Sequence, residues 1–476
     1  MRFSVLALVA LLCAGAAHAK PDSRPIAVEI TLREGAERRA LWVDMTFEGD
    51  ADGHTTVRLP DRFGHASQLW LNVTDVSVEG GRLAPGDAKA LFVDHAPSAI
   101  VRLRYRVKTG ARERRGLGVE VGPAEGLDGV SFLGETVIAY PEGRLDAPAT
   151  VRLGDMPAGW ALASDLQKAG ETTLREARES YLLAGPTVRI VERRLPDGSL
   201  LRVALRGAFD FSDAAAADRA ARLVAYQRRY WNAPAEPFLV TIDETPIPDV
   251  MIWGGLGRGA DSAALYASKA VWLNKFSEIL AHEITHAWLA RALGGLPEGV
   301  DEPEGYWFSE GFADYLGYRS LVKSGVFSPG DFQTAMHGDI WPVPVTAERM
   351  KADYWRDPEL FKWPYYQGFN LAVTWDERLR AGRKIELRDV LLAQARRAAA
   401  GANQTADQLF PRVYAEMSGL DLSADIERYL TVGEPAPVSQ AIAKACDWDL
   451  FLDRPRTGVI QLDPDACVAA VFGPGI

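Results

Sequence analysis

The stretch Phe276-Ser277-Glu278-Ile279-Leu280-Ala281-His282-Glu283-Ile284-Thr285-His286-Ala287-Trp288 decides how this chain is read. Phe276, Ile279, Leu280, Ile284, Ala287, Trp288 and Leu289 place apolar side chains nearly all round a helix, which predicts that the helix is buried. Asn274 is the expected N-cap, and Gly294-Gly295 followed by Pro297 the expected stop. Two histidines four residues apart lie one above the other on a helix, so His282 and His286 can reach a single ion. Glu283 stands beside them, placed to act as general base toward water at the ion's open position. Buried imidazoles and a buried carboxylate are costly unless something partners them, and a metal ion is such a partner.

Downstream, Trp307-Phe308-Ser309-Glu310-Gly311-Phe312-Ala313-Asp314-Tyr315 begins a second helix, expected over Tyr306 to Lys323. Glu310 is the candidate third ligand. Asp314, one turn later, is the candidate acceptor for the remaining N–H of a ligand histidine, fixing its tautomer. Two imidazoles and one carboxylate leave a fourth position open, the donor set of a catalytic zinc. One Zn2+ per chain and a hydrolase are the expectation.

Outward from this centre, Ser212-Asp213 is expected to cap a helix through Tyr230 that ends at Asn232 and Pro234. Short strands are expected at Phe238 to Ile242, Val250 to Trp253 and Ala264 to Leu273, ahead of the histidine helix. Leu296 to Gly305 is an acidic connector. Phe369 to Arg380, Leu387 to Ala400 and Thr405 to Ser418 have helical pattern, with Gly382, Gly401 and Gly419 as breaks. Residues 206–435 thus form a mostly α-helical domain with a small sheet.

Residues 20–205 have a different pattern. Ile26, Val28, Ile30 and Leu32 alternate with other residues, as do Val101, Leu103, Tyr105 and Val107, with glycine and aspartate clustered between such runs. An N-terminal antiparallel β-sandwich is the expectation. His54, His65 and His95 share no ligand spacing and are taken as surface or structural residues.

Met1 to Ala19 reads as a signal peptide: Arg2, an apolar Val5 to Leu12, and Ala17-His18-Ala19 as the cleavage site. The apolar run is too short for a membrane span, and no later stretch reaches ~18 apolar residues. An exported chain, periplasmic or secreted, is expected. It would keep Cys446 and Cys467, a pair more consistent with a disulfide than with free thiols in an oxidising compartment. A net charge of -11 with no basic run argues against a nucleic-acid partner. Residues 436–476 are expected to be a C-terminal tail held by that disulfide.

These motifs resemble the gluzincin metallopeptidases, and the nearest likeness is to the glycyl-aminopeptidase family. The residues that carry it are Gly254-Gly255-Leu256, His282 to Trp288, Glu310-Gly311-Phe312, Tyr365-Tyr366-Gln367-Gly368 and Gly419-Leu420-Asp421-Leu422. The resemblance implies a thermolysin-like catalytic domain, zinc held by His282, His286 and Glu310, and a peptide or protein substrate. It also implies that Tyr365, or else Tyr366, donates a hydrogen bond to the tetrahedral intermediate. Gly255, Leu256 and Arg258 would line the substrate site.

The chain departs from that pattern in several places. Gln367 replaces the usual lysine, and Leu289 the usual asparagine. Gly257 and Arg258 follow Gly-Gly-Leu where relatives carry a glutamate that pairs with the substrate's α-amine. The chain after Leu430 is too short for the family's PDZ-like domain. Peptide-bond hydrolysis is the expected activity. A strict aminopeptidase for small N-terminal residues, anchored by Glu302 or Glu304, and a catalytically silent envelope peptide-binding protein are the alternatives.

Overall fold

The computed structural model describes residues 24–34, 39–63, 67–111, 124–125, 129–154, 156–167, 172–245, 253–256, 261–289, 291–297, 299–336, 344–448 and 463–474. The expected signal peptide, His65, Gly257 and Arg258 lie outside them. The described residues form a mixed α/β molecule: β-sheets first, then a sheet-and-helix half.

In the first half, Ile26–Glu34, Arg39–Glu48, Ile100–Lys108 and Val73–Glu79 lie side by side in one sheet, antiparallel throughout. Both expected alternations hold, since Val28, Ile30, Leu103, Tyr105 and Val107 are buried and the residues between them are not. The purely antiparallel expectation does not hold, because Pro148–Leu153 joins the same sheet parallel to Ile26–Glu34. A chain that returns after about a hundred residues can enter from either end, and periodicity carries no strand direction. Two smaller sheets, of five and four strands, share a core with this one. His54 bonds Asp94 and His95 bonds Thr55, which accounts for both rings locally.

The second half is built on a five-stranded mixed sheet in the order Arg189–Arg194, Leu200–Arg206, Phe238–Glu244, Ser262–Ala267, Trp253–Leu256. Its first strand lies before the 205/206 boundary expected from the pattern and its second runs across it: Arg189–Arg194 pairs antiparallel with Leu200–Arg206, which pairs parallel with Phe238–Glu244. The helix Asp213–Trp231 makes that crossover, with Ser212 capping it and Asn232 in the left-handed conformation ending it. The two halves meet where Leu133, Tyr181 and Leu183 pack on Ala204, Leu239 and Ala264. There Arg206 makes a bidentate bond to Asp243 at 2.8 and 2.6 Å and reaches Ser131 of the first half at 3.2 Å.

The helices share one apolar core with this sheet. Gln440–Cys446 and Pro464–Phe472, expected within a tail, are part of it. Cys446 and Cys467 form a disulfide, Phe472 packs on Tyr315 and Phe332, and Arg319 donates to the Phe472 carbonyl. Among the described residues, no helix is long and apolar enough to cross a membrane.

Candidate metal centre

The histidine helix spans Leu273–Leu289. It starts one residue before the expected cap, and the Asn274 amide instead donates to Asp331 on the helix Pro329–Met336. The polar residues on its far side are partnered within the chain. Ser277 accepts from Arg219 at 2.8 Å, and Thr285 accepts from Gln227 at 2.8 Å. What remains on the near side is His282, Glu283 and His286.

The glutamate helix, Tyr306–Lys323, has the bounds expected from sequence. It crosses a third helix, Trp363–Arg383, at a pair of glycines. A Cβ on Gly311 would overlap the Gly368 backbone, and one on Gly368 would overlap the Trp307 carbonyl and come within 2.8 Å of the Gly311 Cα. This backbone-to-backbone contact seats Glu310 and Tyr365, each within a turn of the crossing, over the histidines. Gly255 does a similar job on the edge strand Trp253–Leu256, since a Cβ there would come within 2.7 Å of Glu283 Oε1. Three of the glycines in the motifs are thus sites of close approach around one centre.

The centre itself is tight. The Nε2 atoms of His282 and His286 lie 3.0 Å apart, and Glu310 Oε2 is 3.1 Å from the first and 3.5 Å from the second. Behind His282, Asp314 Oδ1 is 2.7 Å from Nδ1. That bond commits the proton to Nδ1 and turns the Nε2 lone pair inward. Two imidazole nitrogens and a carboxylate oxygen converging on one point, all electron-pair donors, suit a divalent cation. Among the described residues these three form the one grouping of this kind.

Charge and burial agree with that geometry. Burial would pull the His282 imidazolium down, but Asp314 and then Glu310 hold it well above its usual value. Burial would raise the Glu310 carboxyl, but His286 and His282 carry it well below the usual range. Glu283, buried beside them, is raised by desolvation, and the two histidines only partly offset this. Tyr365 stacks on His282 with ring centroids 5.6 Å apart, and desolvation together with the Glu310 charge pushes its phenol well up, so it stays a donor.

Tyr365 therefore stands at the centre. Gln367 is turned away: its amide donates to the carbonyls of Tyr429 and Glu434 and accepts from Ala436 N. Leu256 lies on the edge strand beside Gly255. Glu304 and Asp301 are bound outward to Lys351, at 2.7 and 3.0 Å. The sequence pattern does not single out Lys362. Its ammonium lies 4.2 Å from the centre of the Tyr365 ring. The signal available was Pro364, which suits the first turn of a helix and would have moved the expected helix start from Phe369 to Trp363.

No protein-family model matches the chain, and no curated protein matches it. Solved structures do. An aminopeptidase N family protein from Idiomarina loihiensis is similar at 16% identity with a TM-score of 0.68, over 87% of this chain and 77% of that one. An M1 zinc metallopeptidase from Deinococcus radiodurans is similar at 16% identity with a TM-score of 0.53, over 88% and 96%. A glutamate-to-alanine mutant from the same organism, bound to a Tyr-Ser-Ala substrate, is similar at 14% identity with a TM-score of 0.53, over 87% and 95%. The chain has the fold of the M1 zinc metallopeptidases.

Proposed function

We propose that this chain is an exported, zinc-dependent metallopeptidase that hydrolyses peptide bonds with Glu283 as general base. The observation that carries the reading is the convergence of His282, His286 and Glu310 on one point with buried Glu283 beside it. A zinc ion held by those three residues would supply Lewis acidity toward the scissile carbonyl and acidify water. Glu283, its carboxyl raised by burial, takes the proton of the attacking water and delivers it to the leaving amine. Tyr365 donates to the oxyanion, and Asp314 keeps His282 in the ligating tautomer.

The M1 fold and the solved neighbour with bound tripeptide support a peptide substrate. The narrower likeness to glycyl aminopeptidases rests on the motifs quoted above. In this reading the N-terminal sheets are a sandwich and the helical half is thermolysin-like. Glu304, bonded outward to Lys351, is a poor anchor for an α-amine, which leaves Glu302 as the anchor for aminopeptidase action.

The test is direct. Wild type is expected to carry one zinc per chain and to cleave peptides, while Glu283→Gln keeps the zinc and loses about 10²- to 10⁴-fold in kcat. A zinc-free wild type with full activity would overturn the reading, and a zinc-loaded wild type that binds but never cleaves peptides would make it a binding protein. N-acetylated against free-amine peptides separates endopeptidase from aminopeptidase. Export is checked by N-terminal sequencing of the mature protein, expected to begin at Lys20.

A further inference from the structure

Lys362 stands at the N-terminal end of the helix Trp363–Arg383, in the cap position, where its side chain makes no capping bond. That end of a helix carries partial positive charge, so an ammonium there is the wrong sign, and lysine offers no acceptor for the free N–H groups. On the helix Ala347–Asp353, Lys351 pairs with Asp301 and Glu304, and Arg349 pairs with Asp357. Lys362 forms no ion pair among the described residues, although the nearby cradle holds three carboxylates. Lys362 is exposed, and its ammonium sits over the face of Tyr365. A cation without a carboxylate partner, held on the ring that stacks on His282, is placed to meet an anion that arrives with the substrate.

Given the peptidase reading above, on which this inference rests, we propose that Lys362 is a specificity-determining residue that binds a carboxylate of the peptide substrate. Its ammonium is within about 10 Å of the His282 ring, the reach of roughly three extended residues. The carboxylate therefore lies within about three residues of the cleaved bond: the C-terminus of a short peptide, or an acidic side chain.

Three substrates distinguish the sources: Ala-Ala-Ala, its C-terminal amide, and the amide of Ala-Glu-Ala. In Lys362→Gln, kcat/KM is expected to fall about 10- to 100-fold more for a carboxylate-bearing peptide than for the neutral amide, mainly through KM. Lys362→Arg is expected to recover most of that difference. An excess loss on the free acid assigns the C-terminal carboxylate, and one on the glutamyl amide assigns the side chain. Equal losses on all three overturn the inference, because a lysine that only steadies Tyr365 affects every substrate alike. If wild type cleaves none of them or any other peptide, it is the peptidase reading that fails.

Discussion

Arg206 with Asp243 and Ser131, at the junction of the two halves, and the cradle of His282, His286, Glu310 and Asp314 both bury polar side chains, and they do so in opposite ways. At the junction, the guanidinium and carboxylate are 1% and 0% exposed, and their charges cancel inside the chain. In the cradle, His282 Nε2, His286 Nε2 and Glu310 Oε2 converge within 3.0 to 3.5 Å of one another. A buried charge paired with its opposite is architecture, even though Arg206 Nη1 is left without a hydrogen-bond partner. Buried polarity that converges on a point needs a cation to complete it.

The largest expected effect breaks the junction. Arg206→Met strips Asp243 of its guanidinium in a dry site and is expected to lower stability by about 3–5 kcal/mol in urea unfolding. Replacing both charges, as in the Arg206→Met, Asp243→Leu double variant, is expected to recover most of that loss. A single variant costing under about 1 kcal/mol would mean the junction is wet, and the contrast with the cradle would fall.

Next in size is Gly368→Ala. The added methyl meets the Trp307 carbonyl, a backbone atom that cannot rotate away, and the glutamate helix must move. Overpacking of this kind costs about 1–3 kcal/mol. The shift also carries Tyr365 and Glu310 with it, so activity should fall by up to about 10²-fold even in the folded fraction. Full activity with normal stability would show that the crossing does not set the site.

Much of this was legible in the sequence because the local rules were obeyed locally. Ser212 and Asn232 bound their helix as caps should, and the Tyr306–Lys323 helix had the expected limits. Helix spacing puts His282 and His286 on one face of their helix, and Glu310 and Asp314 on one face of another. What was not legible depends on distant partners. Nothing within Pro148–Leu153 says that it will run parallel to Ile26–Glu34, nor within Leu200–Arg206 that it will pair forward with Phe238–Glu244. Asparagine is a common cap, yet the Asn274 amide is taken by Asp331. Lys362 reaches Tyr365 only because its helix starts six residues before the apolar pattern becomes regular.

The third effect sharpens the contrast from the side of the cradle. Asp314→Asn keeps the shape and a hydrogen bond to His282 but loses the carboxylate that fixes the tautomer. Zinc affinity, measured by competition with a chelating dye, is expected to fall about 10- to 100-fold. Stability of the zinc-free protein should change far less than in Arg206→Met, since Asp314 is only partly buried. Affinity close to wild type would assign Asp314 to packing.

The smallest effect has the opposite sign and is the most informative. Glu283 is 7% exposed, and desolvation outweighs the attraction of both histidines, so burial disfavours its charged form. Gln has nearly the same shape and no charge. In zinc-free protein, Glu283→Gln is therefore expected to leave stability unchanged or raise it by up to about 1 kcal/mol, although kcat of the zinc-loaded variant is expected to fall about 10²- to 10⁴-fold. Arg206 and Glu283 would then be two buried ionisable residues whose removal moves stability in opposite directions, as expected if one serves the fold and the other the reaction. A loss of about 3 kcal/mol, the size seen when a buried pair is broken, would instead make Glu283 part of the architecture, and the distinction between the two clusters would no longer stand.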